Sequence, residues 1–436
     1  VRRLADILVR AGTARATARL ARLERRGERT SAAVEARVRR IVADVERRGD
    51  RALIDWTRRL DGVRLTPARL RVPTDDLAAA FRALPATARR DLTLAASRIR
   101  AFHLRQRERS WTFHDPTGAR LGQRITPLER VGVYVPGGRA AYPSTVLMTV
   151  VPARVAGVDE VVAASPAGID GHPQVILAAC HIAGVDALYR IGGAQAIAAL
   201  AFGTATVPRV DKVVGPGNVY VATAKRLCYG RIDIDSIAGP SEVLVLADGS
   251  ADPGMIAADL LAQAEHDPMA ASICLTADAR LATRVVAALE EQLAVLPRRA
   301  VAARALAAFG AVVVTRSLAD AVVIANRLAP EHLELLVRDP ARWVDRLRHA
   351  GAIFVGPHTP EAFGDYLAGP NHVLPTGGTA RWASPLGVYD FVKRTSMIQA
   401  APRTLARLGP AVMRLAALEG LEAHGRAVAR RLAGGR

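Results

Sequence analysis

Residues 131–138 read Val131-Gly-Val-Tyr-Val-Pro-Gly-Gly138. A β-branched run followed at once by a proline and two glycines is a short buried strand that ends in a tight turn. The same unit recurs downstream. Residues 144–155 fit a helix, 160–164 a strand, 173–183 a helix and 188–191 a strand. Gly192-Gly193 opens a helix through Ala201. Residues 212–214 form a strand, and Gly215-Pro-Gly-Asn218 leads into a helix ending near Arg226. Strands alternating with helices of this length predict a parallel α/β layer.

The rhythm then starts again. Strands are expected at 242–247, 272–276, 311–315, 333–337 and 352–355, with helices at 253–264, 279–293 and 318–328. Before this region, residues 1–101 carry alanine, leucine and arginine at helical spacing, with Pro73, Asp75 and Asp76 marking a helix start near Leu77. Residues 120–130 read as strands and turns, and 403–432 as helix. The fold class expected is α/β, with two Rossmann-like parallel-sheet domains and helical N-terminal and C-terminal segments.

The chain has 436 residues, half of them hydrophobic and 23% charged, which suits a folded core and excludes global disorder. No apolar run reaches the ~18 residues of a membrane span, and residues 1–10 lack the pattern of a secretory signal. A cytoplasmic location is the expectation. Cys180, Cys228 and Cys274 are odd in number and far apart, so they read as core residues rather than a disulfide or thiolate-metal set. The net charge of +19 raises nucleic-acid binding as a reading. The arginines are scattered among acidic residues, however, and aromatics make up only 4%. Biased residue usage explains the charge better than a base-stacking surface does.

No G-x-G-x-x-G follows the first strand, no P-loop is present and no G-x-S-x-G elbow occurs. The glycine turns at 137–138, 192–193 and 215–217 still admit a phosphate or ribose at a helix start. Gln263 and His266 lie three residues apart at a helix end, a pair suited to zinc or another borderline metal. Glu331 and His332 put a carboxylate beside an imidazole, either as an acid–base pair or as an inert strand cap. Asp365, His372, Glu419 and His424 are further candidates, and spacing alone leaves open which of them would join His266 at a metal.

Eight stretches together resemble the histidinol dehydrogenase family: VGVYVPGG (131–138), IGGAQAI (191–197), VGPGN (214–218), IAGPSE (237–242), QAEHD (263–267), APEHL (329–333), NHVLPT (371–376) and SPLGVYDFVK (384–393). The resemblance spans residue 31 to the C-terminus, and residues 1–30 acquire no role from it. It implies oxidation of L-histidinol through L-histidinal to L-histidine by NAD, with one Zn²⁺ per site. The implied zinc ligands are Gln263, His266, Asp365 and His424. The implied substrate contacts are Ser241, Gln263, His266, His332, Asp365, Glu419 and His424, with His372 a lesser candidate. Tyr134, Gln195 and Asn218 would meet NAD, and Glu331 and His332 would be the acid–base pair. The resemblance further implies a homodimer in which Glu419 and His424 come from the other chain, with no nucleic acid or membrane as partner. The expected partition is 1–32 as a helical segment, 33–133 plus 241–386 as a first Rossmann-like domain with the metal, 134–240 as a second on the NAD side, and 387–436 as a helical segment reaching the partner. A related dehydrogenase acting on another amino alcohol is the alternative within the fold.

Overall fold

Strands Glu242–Ala247, Ala271–Thr276 and His332–Leu336 are buried at every position. A strand covered on both faces shows no alternation, and its sequence reads as a continuous apolar run. The computed structural model describes residues 4–26, 31–137 and 141–434. In it these strands lie side by side in a six-stranded parallel sheet, ordered Leu8–Arg10, Gly310–Val314, Ala271–Thr276, Glu242–Ala247, His332–Leu336 and Ala352–Val355. Helices Pro253–Ala264 and Ala279–Val295 pack apolar residues such as Leu260, Leu281 and Leu289 on one face, and Leu318–Leu328 covers the other with Ala321 and Ala325.

A second, five-stranded parallel sheet runs in the order Ala187–Tyr189, Glu160–Ala164, Arg130–Tyr134, Lys212–Val214 and Asp233–Ile234. Its strand order reverses between Arg130–Tyr134 and Lys212–Val214. In open parallel sheets the crevice beyond the strand ends at such a reversal is where nucleotides bind. The two Rossmann-like sheets expected from the alternation are therefore present.

The packing departs from the sequence expectations in three places. Residues 8–10, read as helix, form an edge strand paired with Val312, Val313 and Val314. Three residues are too few to show a period. Helix Ala32–Arg48 contributes Val38, Ile41 and Val45 to the core of the five-stranded sheet, and helix Thr74–Ala83 packs on Gln174–Ala183. Strand Arg130–Tyr134 belongs to that sheet too. These parts of 33–133 thus pack with 134–240 rather than with 241–386. Finally, residues 392–399 of the expected C-terminal helical segment are a strand. Nearly all of that strand is exposed, so no buried face signals it in the sequence.

Two compact units result. The larger comprises 1–106 and 129–391 and holds both parallel sheets. The smaller comprises 107–128 and 392–436. In it an antiparallel sheet of Trp111–His114, Arg120–Pro127 and Val392–Gln399 joins the helices Pro402–Leu418 and Glu422–Ala433. The helical reading of 403–432 holds as these two helices, which part at Gly420, whose φ of 70° is left-handed. Gly138, residues 1–3 and residues 27–30 of the sequence reading lie outside the described residues. No helix among the described residues is long and apolar enough to cross a membrane.

Candidate active site

At the reversal of the five-stranded sheet lies a cavity of about 680 Å³. Tyr134, Gln195 and Asn218 all line it, together with Asp61 and Gly193. Tyr134 ends its strand, and its hydroxyl accepts a hydrogen bond from the Gly193 N–H at 3.0 Å. Burial pushes this phenol up to about 12, so it stays neutral. Asn218 caps helix Val219–Cys228, its Oδ1 accepting from Tyr220 and Val221 N–H. Gln195 is fully buried; its Nε2 donates to Asp61 at 3.4 Å, and its Oε1 has no partner among the described residues. Behind Tyr134 stands Gly215, at φ 112°, where a β-carbon would overlap the Tyr134 carbonyl oxygen. Lys225, buried in the following helix, pairs with Asp235 and donates to the Gly215 carbonyl at 3.0 Å.

The second cluster sits at the opposite kind of strand end. Glu242 and His332 are the first residues of adjacent strands in the six-stranded sheet. The Glu242 N–H donates to Glu331 Oε2 at 2.9 Å, and the Glu331 N–H returns to Glu242 Oε2 at 3.3 Å. His332 Nδ1 lies 3.0 Å from the Glu242 carbonyl oxygen. A carbonyl only accepts, so Nδ1 carries the proton and Nε2 keeps its lone pair. Nε2 is buried without a hydrogen-bond partner among the described residues and faces Asp365 Oδ1 at 4.0 Å.

Burial dominates the electrostatics here. It drives His332 down to about 4, helped by the neighbouring His372 and His266. Burial likewise lifts Glu331 well above the usual carboxylate range, and the charges of Glu242 and Asp365 lift it further. Glu361, whose Oε1 lies 3.5 Å from His332 Nδ1, is raised in the same way. Burial takes Asp365 up to about 6. His372 is held by the Asp365 carbonyl oxygen at 3.1 Å from its Nδ1 and is pushed down to about 4.

Gln263 closes helix Pro253–Ala264, and His266 follows just beyond the helix end. The Gln263 side chain is buried, yet neither its Oε1 nor its Nε2 has a partner among the described residues. A buried amide left unpaired is costly, and a cation or a polar ligand would satisfy it. An amide oxygen, an imidazole and a carboxylate (Gln263, His266 and Asp365) make a donor set that zinc accepts. Among the described residues no group of three or more His, Cys, Asp or Glu is placed to hold a metal. That is compatible with this set, which has only two members of those types in the larger unit. Ser241 ends the loop that runs into the strand at Glu242. Glu419 and His424 belong to the smaller unit, where both are exposed, Glu419 at the end of its first helix and His424 in the first turn of its second.

Several residues of the clusters have no role that the sequence alone reveals. Glu242 is visible only as part of a motif, and Glu361 and Asp61 stand in no motif. Nothing local marks them; each gains its neighbours from distant parts of the chain. All three cysteines are buried, and burial raises their thiols to about 12. Such thiols are poor nucleophiles.

Comparison with known proteins decides the family. A sequence model described as histidinol dehydrogenase matches residues 24–432. The chain belongs to the histidinol dehydrogenase family. It is 57% identical over 381 residues to the histidinol dehydrogenase of Syntrophotalea carbinolica, covering 87% of this chain and 88% of the relative. It is 53% identical over 411 residues to that of Geobacter metallireducens, covering 94% of each. The crystal structure of histidinol dehydrogenase from Elizabethkingia anophelis superposes with a TM-score of 0.91 at 34% identity, covering 98% of this chain and 97% of that one. Membership of this family makes the chain an oxidoreductase that oxidises histidinol in histidine biosynthesis.

Proposed function

We propose that the chain oxidises L-histidinol twice, through L-histidinal to L-histidine, with His332 and Glu331 as the acid–base pair. The observation that carries this reading is the His332 ring, locked by the Glu242 carbonyl with its Nε2 lone pair buried and unpartnered. When bound, zinc would hold the substrate's imidazole and amine at Gln263, His266 and Asp365, and NAD in the cleft of Tyr134, Gln195 and Asn218 would accept the hydride.

In the first oxidation His332 Nε2 takes the hydroxyl proton as the C–H pair leaves carbon. A ring of such low proton affinity is a modest base, but at neutral pH it is always free to accept. The imidazolium that then develops keeps its Nδ1–H on the Glu242 carbonyl oxygen, with carboxyl oxygens of Glu361 and Glu331 3.5 and 3.7 Å away. In the second oxidation the aldehyde carbon must first gain a water. In its ionised form Glu331, whose proton affinity burial raises, takes the proton from that water as its oxygen bonds the aldehyde carbon, giving the hydrate anion whose C–H pair leaves next. The buried thiols argue against a cysteine thiohemiacetal.

The working form is a homodimer in the cytoplasm, with Glu419 of the partner subunit contacting substrate and His424 of the partner subunit completing the zinc ligands. Nucleic acid and membrane have no part in the reaction. Two sets of variants test the assignment. His266→Asn and Asp365→Asn should each lose zinc and activity together; zinc content equal to wild type in both would refute the ligand roles. Glu331→Gln should slow oxidation of L-histidinal more than that of L-histidinol; equal slowing would remove its role in activating water.

A further inference from the structure

Arg26 lies at the end of the N-terminal helical stretch, in a region to which neither the motifs nor the reaction assigns a part. Its side chain is almost wholly enclosed. Enclosing a guanidinium is unfavourable unless its N–H groups are spent on acceptors. Those of Arg26 are: Nη2 donates to Glu242 Oε1 at 2.7 Å and to the Pro240 carbonyl at 2.8 Å. Nη1 donates to the Ser241 carbonyl at 3.1 Å and to the Met269 carbonyl at 2.6 Å. The guanidinium also sits over the Phe309 ring, 5.7 Å from its centroid.

Every one of these acceptors belongs to a segment that carries site residues. Pro240 and Ser241 end the loop that enters the strand beginning at Glu242, beside His332. Met269 lies in the turn that follows the helix of Gln263 and carries His266. Glu242 is the hub, since its backbone and carboxylate hold both Glu331 and His332. Its Oε1 also accepts from the Gly377 N–H at 3.0 Å. Arg26 supplies the buried positive charge that pairs with this carboxylate.

We propose that Arg26 is a positioning residue for the oxidation, acting through Glu242 to fix Glu331 and His332. Without it, the enclosed Glu242 carboxylate has lost its counter-charge, so it shifts toward other donors. As it shifts, its grip on the Glu331 backbone slackens. The inference rests on the acid–base reading above, and the wild-type enzyme's own turnover separates the two.

The test compares wild type, Arg26→Met and Arg26→Lys for NADH formation from L-histidinol and from L-histidinal, with melting temperature and the KM for NAD measured alongside. Arg26→Met should lose about 10- to 100-fold in kcat with both substrates, the range seen when a partner of a site residue is removed. Its KM for NAD should stay within about twofold of wild type, because the NAD cleft is built on the other sheet. Arg26→Lys should recover part of kcat, since an ammonium restores the charge but not the fork. A purely structural staple would lower the melting temperature and leave kcat per folded site unchanged, which would overturn the proposal. Should Arg26→Met not fold, Arg26→Lys decides, and a kcat equal to wild type overturns it. A wild type that makes no NADH from either substrate would defeat the functional reading instead.

Discussion

Replacing His332 by Asn tests whether this imidazole is neutral and ready to accept a proton. An Asn amide can still donate to the Glu242 carbonyl, so the variant removes Nε2 while keeping the anchor. The magnitude follows from the burial. His332 sits at about 4 in the folded chain against an ordinary 6.5. Between those two values the unfolded chain binds a proton that the folded chain refuses. This group's contribution to stability is therefore complete above about pH 6.5 and is lost as pH falls through 4. At 1.36 kcal/mol for each pH unit of that window, the loss is about 3 kcal/mol. Other groups titrate in the same range: His372 with the same sign, Glu331 and Asp365 with the opposite one. A difference between wild type and variant cancels them. Urea unfolding of both proteins, with chelator present, would be followed at about pH 7.5 and about pH 4.5. Wild type should lose about 3 kcal/mol more than His332→Asn between the two, and the variant's kcat should fall by ~10² to 10⁴. An equal loss in the two proteins would refute the claim that His332 is held neutral.

Two further outcomes follow from the same geometry, and a third from the proposed dimer. With all three thiols enclosed, a thiol reagent should label none in the native protein and three after denaturation; fast native labelling at full loss of activity would reopen a cysteine mechanism. Gly215→Ala forces a side chain into a left-handed backbone and onto the Tyr134 carbonyl oxygen. It should raise the KM for NAD by about tenfold or more, through the ~1–3 kcal/mol strain of that conformation, and an unchanged KM would detach this turn from the NAD site. Mixing inactive His266→Asn with inactive His424→Asn subunits should restore some activity through heterodimers. No recovery with heterodimers present would mean that each site is built from one chain.

Much of the fold is legible in the sequence because its strands are buried on both faces and bounded by glycine and proline. Residues 131–135 and 242–247 announce themselves as apolar runs of strand length. Leu8–Arg10 and Val392–Gln399 do not, because one is three residues long and the other has no buried face. Of the candidate site, the residues inside dense motifs (Glu331, His332, Gln263 and Asn218) could be picked out. Their neighbours could not. Arg26 meets Glu242 across 216 residues, and Gln195 meets Asp61 across 134. Such pairs come from tertiary packing, and no local period or cap encodes them. Spacing alone also leaves the metal set open among Asp365, His372 and His424. The family resemblance, and not any pattern in the chain, selects among them.

Whether one site carries out both oxidations is measured directly by the yield of NADH per L-histidinol consumed, with and without a chelator. Two NADH per substrate are expected, abolished by chelation and restored by Zn²⁺. A yield of one would mean that the reaction stops at the aldehyde and that Glu331 does not activate water. No NADH from folded, zinc-loaded protein would contradict the assignment of L-histidinol itself.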